Sequence, residues 1–211
     1  MSRRRPHKDT TVKIGQVGEQ IVAASIRRYL QSDALRTYNN VYFRDERGNP
    51  FQIDHLALTP QGLIVVETKH WAGMVWGGES ERNWSYLPNG RYCYTRQFYS
   101  PVLQNRTHVQ KLKRVLDNDL KMASLVVFGN PTVTLNLKGV EGVYTLAGFE
   151  AALESIQKME AIYDQAALAF WHERIMSSRF VDFAGMSEQL EYAQNAKNLG
   201  CYVAHKQGLR T

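Results

Sequence analysis

Cysteine is scarce in this sequence, which has only two in 211 residues. Cys93 and Cys201 lie far apart, and neither belongs to a Cys-x-x-Cys or Cys/His pair. Structural zinc sites and disulfide frameworks both need such clusters. The sequence therefore argues against both, and we expect a protein of the reducing cytoplasm.

Long apolar runs are also missing. No stretch approaches the roughly 18 consecutive apolar residues that a membrane-spanning helix needs. Residues 1–6 are basic, but no apolar segment follows them, so they lack the pattern of a secretory signal. We therefore expect no association with a membrane.

Negative charge is in deficit, since the net charge is +6 and the pI is about 9.3. This balance favours a polyanionic partner such as nucleic acid, although basic proteins without such a partner are about as common. Residues 1–10 are predicted to form a flexible basic arm in which Arg3, Arg4 and Arg5 contact phosphates. A merely solvated terminus is an equal alternative.

Two short apolar stretches, residues 52–58 and 63–69, are predicted to be the strands of a β-hairpin. Pro60 and Gly62, which lie between them, favour a tight turn. If Thr59 pairs with Gly62, the register is fixed and side chains alternate between two faces, whereas a bulged three-residue loop would break this register. We then expect one face to carry Asp54, Leu56, Leu58, Leu63, Val65, Glu67 and Lys69. The other face would carry Ile53, His55, Ala57, Ile64, Val66 and Thr68.

Three ionisable side chains share the first of these faces. In the predicted register Asp54 lies opposite Glu67, and Lys69 follows two residues later. Facing carboxylates repel each other, and a divalent cation reverses the sign of that interaction. Oxygen ligands suit Mg²⁺ or Mn²⁺, and Lys69 would orient or deprotonate a water or neutralise charge on a phosphate. The alternative is a structural ion-pair cluster in which Lys69 bridges both carboxylates.

A helix is predicted before the hairpin, over residues 11–30. Gly15 and Gly18 in its opening turns favour close approach to a neighbouring element. The helix would then aim Glu19 at the two carboxylates. The alternative is an exposed glutamate that is favoured by the helix dipole.

A second helix is predicted over residues 100–120, where Ser100 is a good N-cap and a proline follows it. Gln104 faces inward and would hydrogen-bond a water, a phosphate or only the backbone. Lys111 and Arg114 lie on other faces and would flank a nucleic acid, although a solvated helix surface is the commoner meaning of such a run.

The order helix, strand, hairpin, helix, strand predicts an α/β sandwich, because both faces of the hairpin are apolar. Several blocks resemble the nuclease-related (NERD) domain, a branch of the PD-(D/E)XK nuclease superfamily. The blocks are Gly15-Gln16-Val17-Gly18-Glu19, Asp54-His55, Gly62, Glu67-x-Lys69, Gly73 and Ser100-Pro101-Val102-Leu103-Gln104. Ser100 stands where the family usually has Asn, and the resemblance covers about residues 12–150.

The resemblance implies a restriction-endonuclease-like fold, in which helices flank a central mixed β-sheet. Residues 11–150 would form the nuclease core, and residues 151–211 a helical C-terminal extension that packs on it.

The resemblance also implies a metal-dependent nuclease with DNA favoured over RNA as its substrate. Asp54, Glu67 and the Thr68 carbonyl would bind Mg²⁺, with Mn²⁺ as a substitute. Lys69 would position or activate the attacking water and stabilise charge, while Glu19 and Gln104 would orient water or a second ion. The alternative is a non-catalytic module that binds nucleic acid or a protein partner and retains a structural remnant of the site.

Overall fold

The computed structural model describes residues 8–30, 36–90 and 94–180, with side chains from residue 15 onward. The helices are α1 (Lys8–Tyr29), α2 (Pro101–Val115), α3 (Leu146–Gln157) and α4 (Gln165–Ser178). The strands are β1 (Arg36–Arg44), β2 (Pro50–Thr59), β3 (Gly62–Lys69), β4 (Gly73–Gly78), β5 (Asn83–Pro88), β6 (Arg96–Tyr99), β7 (Met122–Phe128), β8 (Val133–Lys138) and β9 (Val143–Thr145). Within these ranges, no helix combines the length and the apolar character that crossing a membrane requires.

A five-stranded mixed sheet forms the centre of the fold, in the order β1-β2-β3-β7-β9. Strands β1 to β3 are antiparallel neighbours, whereas β7 and β9 run parallel to β3. Helices α1 and α3 pack on one face of the sheet, and α2 and α4 pack on the other. The predicted sandwich with a central mixed sheet is therefore confirmed.

A second, four-stranded mixed sheet was not predicted and has the order β6-β5-β4-β8. Its buried Val75 and Trp84 pack on Phe128 of the central sheet and on Val102 at the start of α2. Trp71 joins this cluster, with its ring centroid 4.5 Å from that of Phe98. The second sheet therefore covers the end of the central sheet at which β3 and β7 finish.

The predicted register of the hairpin is confirmed, since Leu58 pairs with Leu63 and Thr59 with Gly62. The predicted faces hold with one correction, because Ile53 belongs to the cluster of Leu56 and Leu58, not to that of Ala57. In each strand the members of this cluster are spaced by two residues except for one step of three. They are Tyr38, Val41 and Phe43 on β1, and Phe51, Ile53, Leu56 and Leu58 on β2.

The change of face coincides with an unusual backbone conformation on β1. Asn40 has a φ of 52°, a left-handed conformation that asparagine tolerates better than most residues. Its neighbours pair with His55 and Ile53, so Asn40 lies level with Asp54. The alternation of side chains shifts by one residue in both strands at this level.

The predicted boundary between the core and the C-terminal extension, at residues 150 and 151, falls inside α3, which starts at Leu146 and ends at Gln157. Helix α4 contributes Leu168, Trp171 and Ile175 to the same apolar cluster as β1 and β2. At the other end, α1 begins at Lys8, within the stretch predicted to be an arm. Residues 1–7 and 181–211 lie outside the described residues, and the division into domains stays a prediction.

Candidate active site

Glu67, Lys69 and Gln104 meet where the end of β3 faces the first turns of α2. Lys69 Nζ donates to Glu67 Oε1 at 2.5 Å and to Gln104 Oε1 at 3.3 Å. The side chain of Glu67 is 3% exposed and that of Lys69 is 18% exposed. The structure therefore brings together three of the predicted site residues in a largely desolvated position.

Asp54 joins this group from β2. Its Oδ2 accepts a hydrogen bond of 2.8 Å from the backbone N–H of Thr68. The N–H and C=O of one residue in a strand point to the same edge, so the Thr68 carbonyl is also directed toward β2. Asp54 and the Thr68 carbonyl therefore lie on the same side of β3.

Two carboxylates and one ammonium determine the electrostatics of the site. Burial and the charge of Glu67 raise the pKa of Asp54 well above its ordinary value, while Lys69 opposes that rise. Burial alone would lower the pKa of Lys69, but the charges of Glu67 and Asp54 outweigh it and raise that pKa. When all three groups are ionised, the cluster carries an excess negative charge that a cation would neutralise.

The donor atoms fit a hard divalent cation. Glu67 Oε2 is buried and has no hydrogen-bond partner among the described residues. No group of three or more His, Cys, Asp or Glu side chains in the described ranges is arranged to hold a metal. The oxygen donors available to such an ion would be two carboxylates and a backbone carbonyl, a set that would suit Mg²⁺ because this ion usually keeps several waters and takes a phosphate ligand.

Glu19 contacts Asn40 on β1. Its Oε2 accepts a 3.0 Å hydrogen bond from Asn40 Nδ2, and Asn40 Oδ1 accepts one of 2.6 Å from Gln52. Its charge is among the smaller influences that raise the pKa of Asp54. Glu19 therefore contacts β1 at the level of Asp54.

His55 supports Thr68 from the opposite face of the hairpin. Its Nε2 lies 3.1 Å from Thr68 Oγ1, and its Nδ1 lies 2.7 Å from Asn39 Oδ1. Burial, aided by the charge of Arg27, lowers the pKa of His55 to about 4. The ring is therefore neutral near pH 7, so that Nδ1–H donates to Asn39 and Nε2 accepts from the Thr68 hydroxyl. The Asp54-His55 pair was visible in the sequence, but the role of Asn39 was not.

The two glycines of α1 are not equivalent. A Cβ atom on Gly18 would lie 2.4 Å from His70 Cβ, whereas one on Gly15 would have no heavy atom of another described segment within 4 Å. Close approach therefore explains Gly18 and leaves Gly15 without a steric reason. Since His70 follows Lys69 directly, Gly18 fixes how closely α1 approaches the end of β3.

Asn105, which the sequence analysis did not single out, fixes α2 on the central sheet. This fully buried side chain donates through Nδ2 to the carbonyls of Val65 and Leu125 and to Ser124 Oγ, at 2.9 to 3.0 Å. It lies seven residues before the buried Leu112, so helical spacing placed it on the inward face. Asn105 follows Gln104 directly, so these contacts fix the first turns of α2 at the site.

The predicted nucleic-acid contacts on α2 are paired with acidic residues. Lys111 Nζ lies 3.0 Å from Asp45 Oδ2 and 5.1 Å from the Phe51 ring centroid. Arg114 lies 3.9 Å from Glu46. Contact of these side chains with nucleic acid stays a prediction, and Arg3, Arg4 and Arg5 fall outside the described residues.

Comparisons with known proteins identify a family for more than half of the chain. A family model described as the nuclease-related domain matches residues 14–129, which is more than half of the chain. An uncharacterized protein of Bacillus anthracis is 28% identical over 114 residues, covering 54% of this chain and 52% of that protein. The chain thus spans about half the length of this curated relative. No solved structure matches the chain.

Proposed function

Because the chain belongs to the family of nuclease-related domains, we propose that it is a metal-dependent nuclease that hydrolyses phosphodiester bonds, with DNA favoured over RNA. The observation that carries this proposal is the meeting of Glu67, Lys69 and Gln104 beside Asp54 at the end of β3. Ionisable groups that perturb one another in this way are typical of functional sites. The preference for DNA rests on the family resemblance.

Asp54, Glu67 and the Thr68 carbonyl would hold Mg²⁺, or Mn²⁺ in its place. When bound, such an ion stabilises charge on the phosphate and makes a bound water more acidic. Lys69 is an ammonium in this arrangement, so it would donate hydrogen bonds to the attacking water and to phosphate oxygens. Gln104 would keep Lys69 pointed at these atoms, and Glu19 would orient water or a second ion.

The test is cleavage of single- and double-stranded DNA and RNA with Mg²⁺ and with EDTA. Glu67→Gln and Lys69→Met keep the side-chain volume and should each reduce the cleavage rate by about 10²-fold or more, a size typical of lost electrostatic groups in active sites. Glu79→Gln is the matched control, because Glu79 is 53% exposed and pairs with Arg106. If both site variants cut as fast as the parent, the proposed mechanism is wrong.

A non-catalytic module that binds nucleic acid is the second candidate. One observation favours it, namely that the Lys69 ammonium already pairs with Glu67 Oε1. Such a module would bind DNA with a steep salt dependence and no metal-dependent turnover. An RNA-directed nuclease would use the same chemistry and would differ in recognising the 2′-OH of its substrate. Cleavage of RNA but not of DNA in the assay above would identify it.

A further inference from the structure

His108 faces the oxygen of Glu67 that Lys69 does not contact. It lies one helical turn after Gln104, so both side chains project from the same side of α2. His108 Nδ1 is 3.7 Å from Glu67 Oε2. Helix α2 thus presents Gln104 to Lys69 and His108 to Glu67.

Both of these facing atoms lack a hydrogen bond. Glu67 Oε2 and His108 Nδ1 are buried, and neither has a partner among the described residues. A buried polar atom without a partner costs about 1–3 kcal/mol, so such atoms are rare. A movement of less than about 1 Å would bring the two atoms to hydrogen-bond distance.

The ring of His108 also stacks with an aromatic residue of the core. It stacks on Phe51, with ring centroids 6.4 Å apart and an interplanar angle of 28°. Phe51 is itself part of the apolar cluster beneath α2. The imidazole therefore lies beside an aromatic ring of the core as well as beside the Glu67 carboxylate.

We propose that His108 is a positioning residue, whose Nδ1–H donates to Glu67 Oε2 and fixes the orientation of this carboxylate toward a bound cation. Lys69 and His108 then hold one carboxylate oxygen each, and each oxygen keeps a free lone pair. Groups that orient a metal ligand in this way typically change metal affinity by about 10–100-fold when they are removed. The consequence for metal binding rests on the proposed function, but the hydrogen bond itself does not.

The hydrogen bond can be tested without a metal. Nitrogen NMR of the imidazole ring at neutral pH, with EDTA present, reports which nitrogen carries the proton, and the His108→Asn spectrum identifies the signal. We expect the Nδ1–H form, because a hydrogen bond to one ring nitrogen selects the tautomer. An Nε2–H form would overturn the inference, whatever the protein does with metals.

Direct measurement of Mn²⁺ binding then tests the consequence. His108→Leu should weaken Mn²⁺ binding by about 10–100-fold, whereas His108→Asn should retain most of it, because the asparagine amide places a donor near the position of Nδ1. His108→Gln serves if the leucine variant does not fold, since its amide lies nearer the position of Nε2 and should also weaken binding.

Each outcome separates this inference from the proposed function. Equal Mn²⁺ binding by the parent and by His108→Leu or His108→Gln would overturn the positioning role, and so would equal losses in the asparagine and leucine variants. A parent protein that binds no Mn²⁺ yet shows the Nδ1–H tautomer would refute the metal-dependent function and leave the hydrogen bond established.

Discussion

The same substitution at two glycines of α1 should have opposite effects on stability. Gly15 and Gly18 both lie inside the helix, where glycine costs about 0.8–1.0 kcal/mol relative to alanine. Among the described residues a Cβ on Gly15 meets nothing within 4 Å, so Gly15→Ala should recover most of that propensity. The free energy of unfolding should rise by about 0.5–1 kcal/mol, which corresponds to roughly 1–4 °C in Tm for a chain of this size.

Gly18→Ala gains the same propensity but meets His70. The new Cβ would lie 2.4 Å from His70 Cβ and 2.7 Å from its Cγ. These atoms are near the backbone and cannot simply rotate away, so α1 or the end of β3 must move. Overpacking of this kind costs about 1–3 kcal/mol. The net change should lie between about zero and a loss of 2 kcal/mol.

Thermal and urea unfolding of the two variants beside the parent give the comparison. His70→Gly removes the atoms in conflict, so Gly18→Ala should be less harmful in that background, with a coupling of about 1 kcal/mol or more. Because His70 follows Lys69, the movement should also reduce Mg²⁺-dependent cleavage by Gly18→Ala but not by Gly15→Ala. Equal stabilisation by both alanines would refute the account of α1 docking.

Two further predictions concern the site and its support. Asp54→Asn should raise the Tm measured in EDTA at pH 7. Burial and Glu67 raise the pKa of Asp54 in the folded state, so ionisation of this carboxyl group destabilises the fold. The loss of stability is absent below the unfolded pKa near 3.8 and grows as the pH rises through the folded pKa. The difference between variant and parent should therefore shrink toward pH 4, and a lower Tm at pH 7 would contradict it. Asn105→Ala should cost about 2–4 kcal/mol by urea unfolding, because it removes three hydrogen bonds of a fully buried side chain and leaves a cavity. Thr107→Ala on the exposed side of α2 should cost under about 0.5 kcal/mol, and a similarly small cost at Asn105 would show that its contacts do not hold the helix.

Local chemistry made much of the fold predictable. The start of α2 follows from Ser-Pro, and the side chain of Ser100 does accept from the N–H of Leu103. The Pro60 and Gly62 turn set the hairpin register, and Gly62 has a φ of 136° that few other residues adopt. In both places the residues that decide the structure are neighbours in sequence.

The rest depends on contacts between distant segments. The second sheet requires β8 to pair with β4, in parallel and far along the chain, and no local pattern specifies that pairing. The backbone conformation of Asn40, at the level where Ile53 and Ala57 separate to different faces, is equally invisible in alternation alone. The facing of His108 and Glu67 appears only after α2 is placed on the sheet.

The shift in alternation explains how an ionisable side chain, Asp54, is accommodated within an apolar strand. Ile53 packs in the cluster beneath α2, while His55 is buried on the other face and bonds Asn39 and Thr68. Asp54 lies between them, at the level where the alternation changes. Pairing of β2 with β3 runs only as far as His55 and Val66, so the Asp54 carboxylate accepts from Thr68 N–H just beyond the last backbone pair. A carboxylate moved by one residue would enter an apolar cluster or the buried place of His55, at a cost of several kcal/mol.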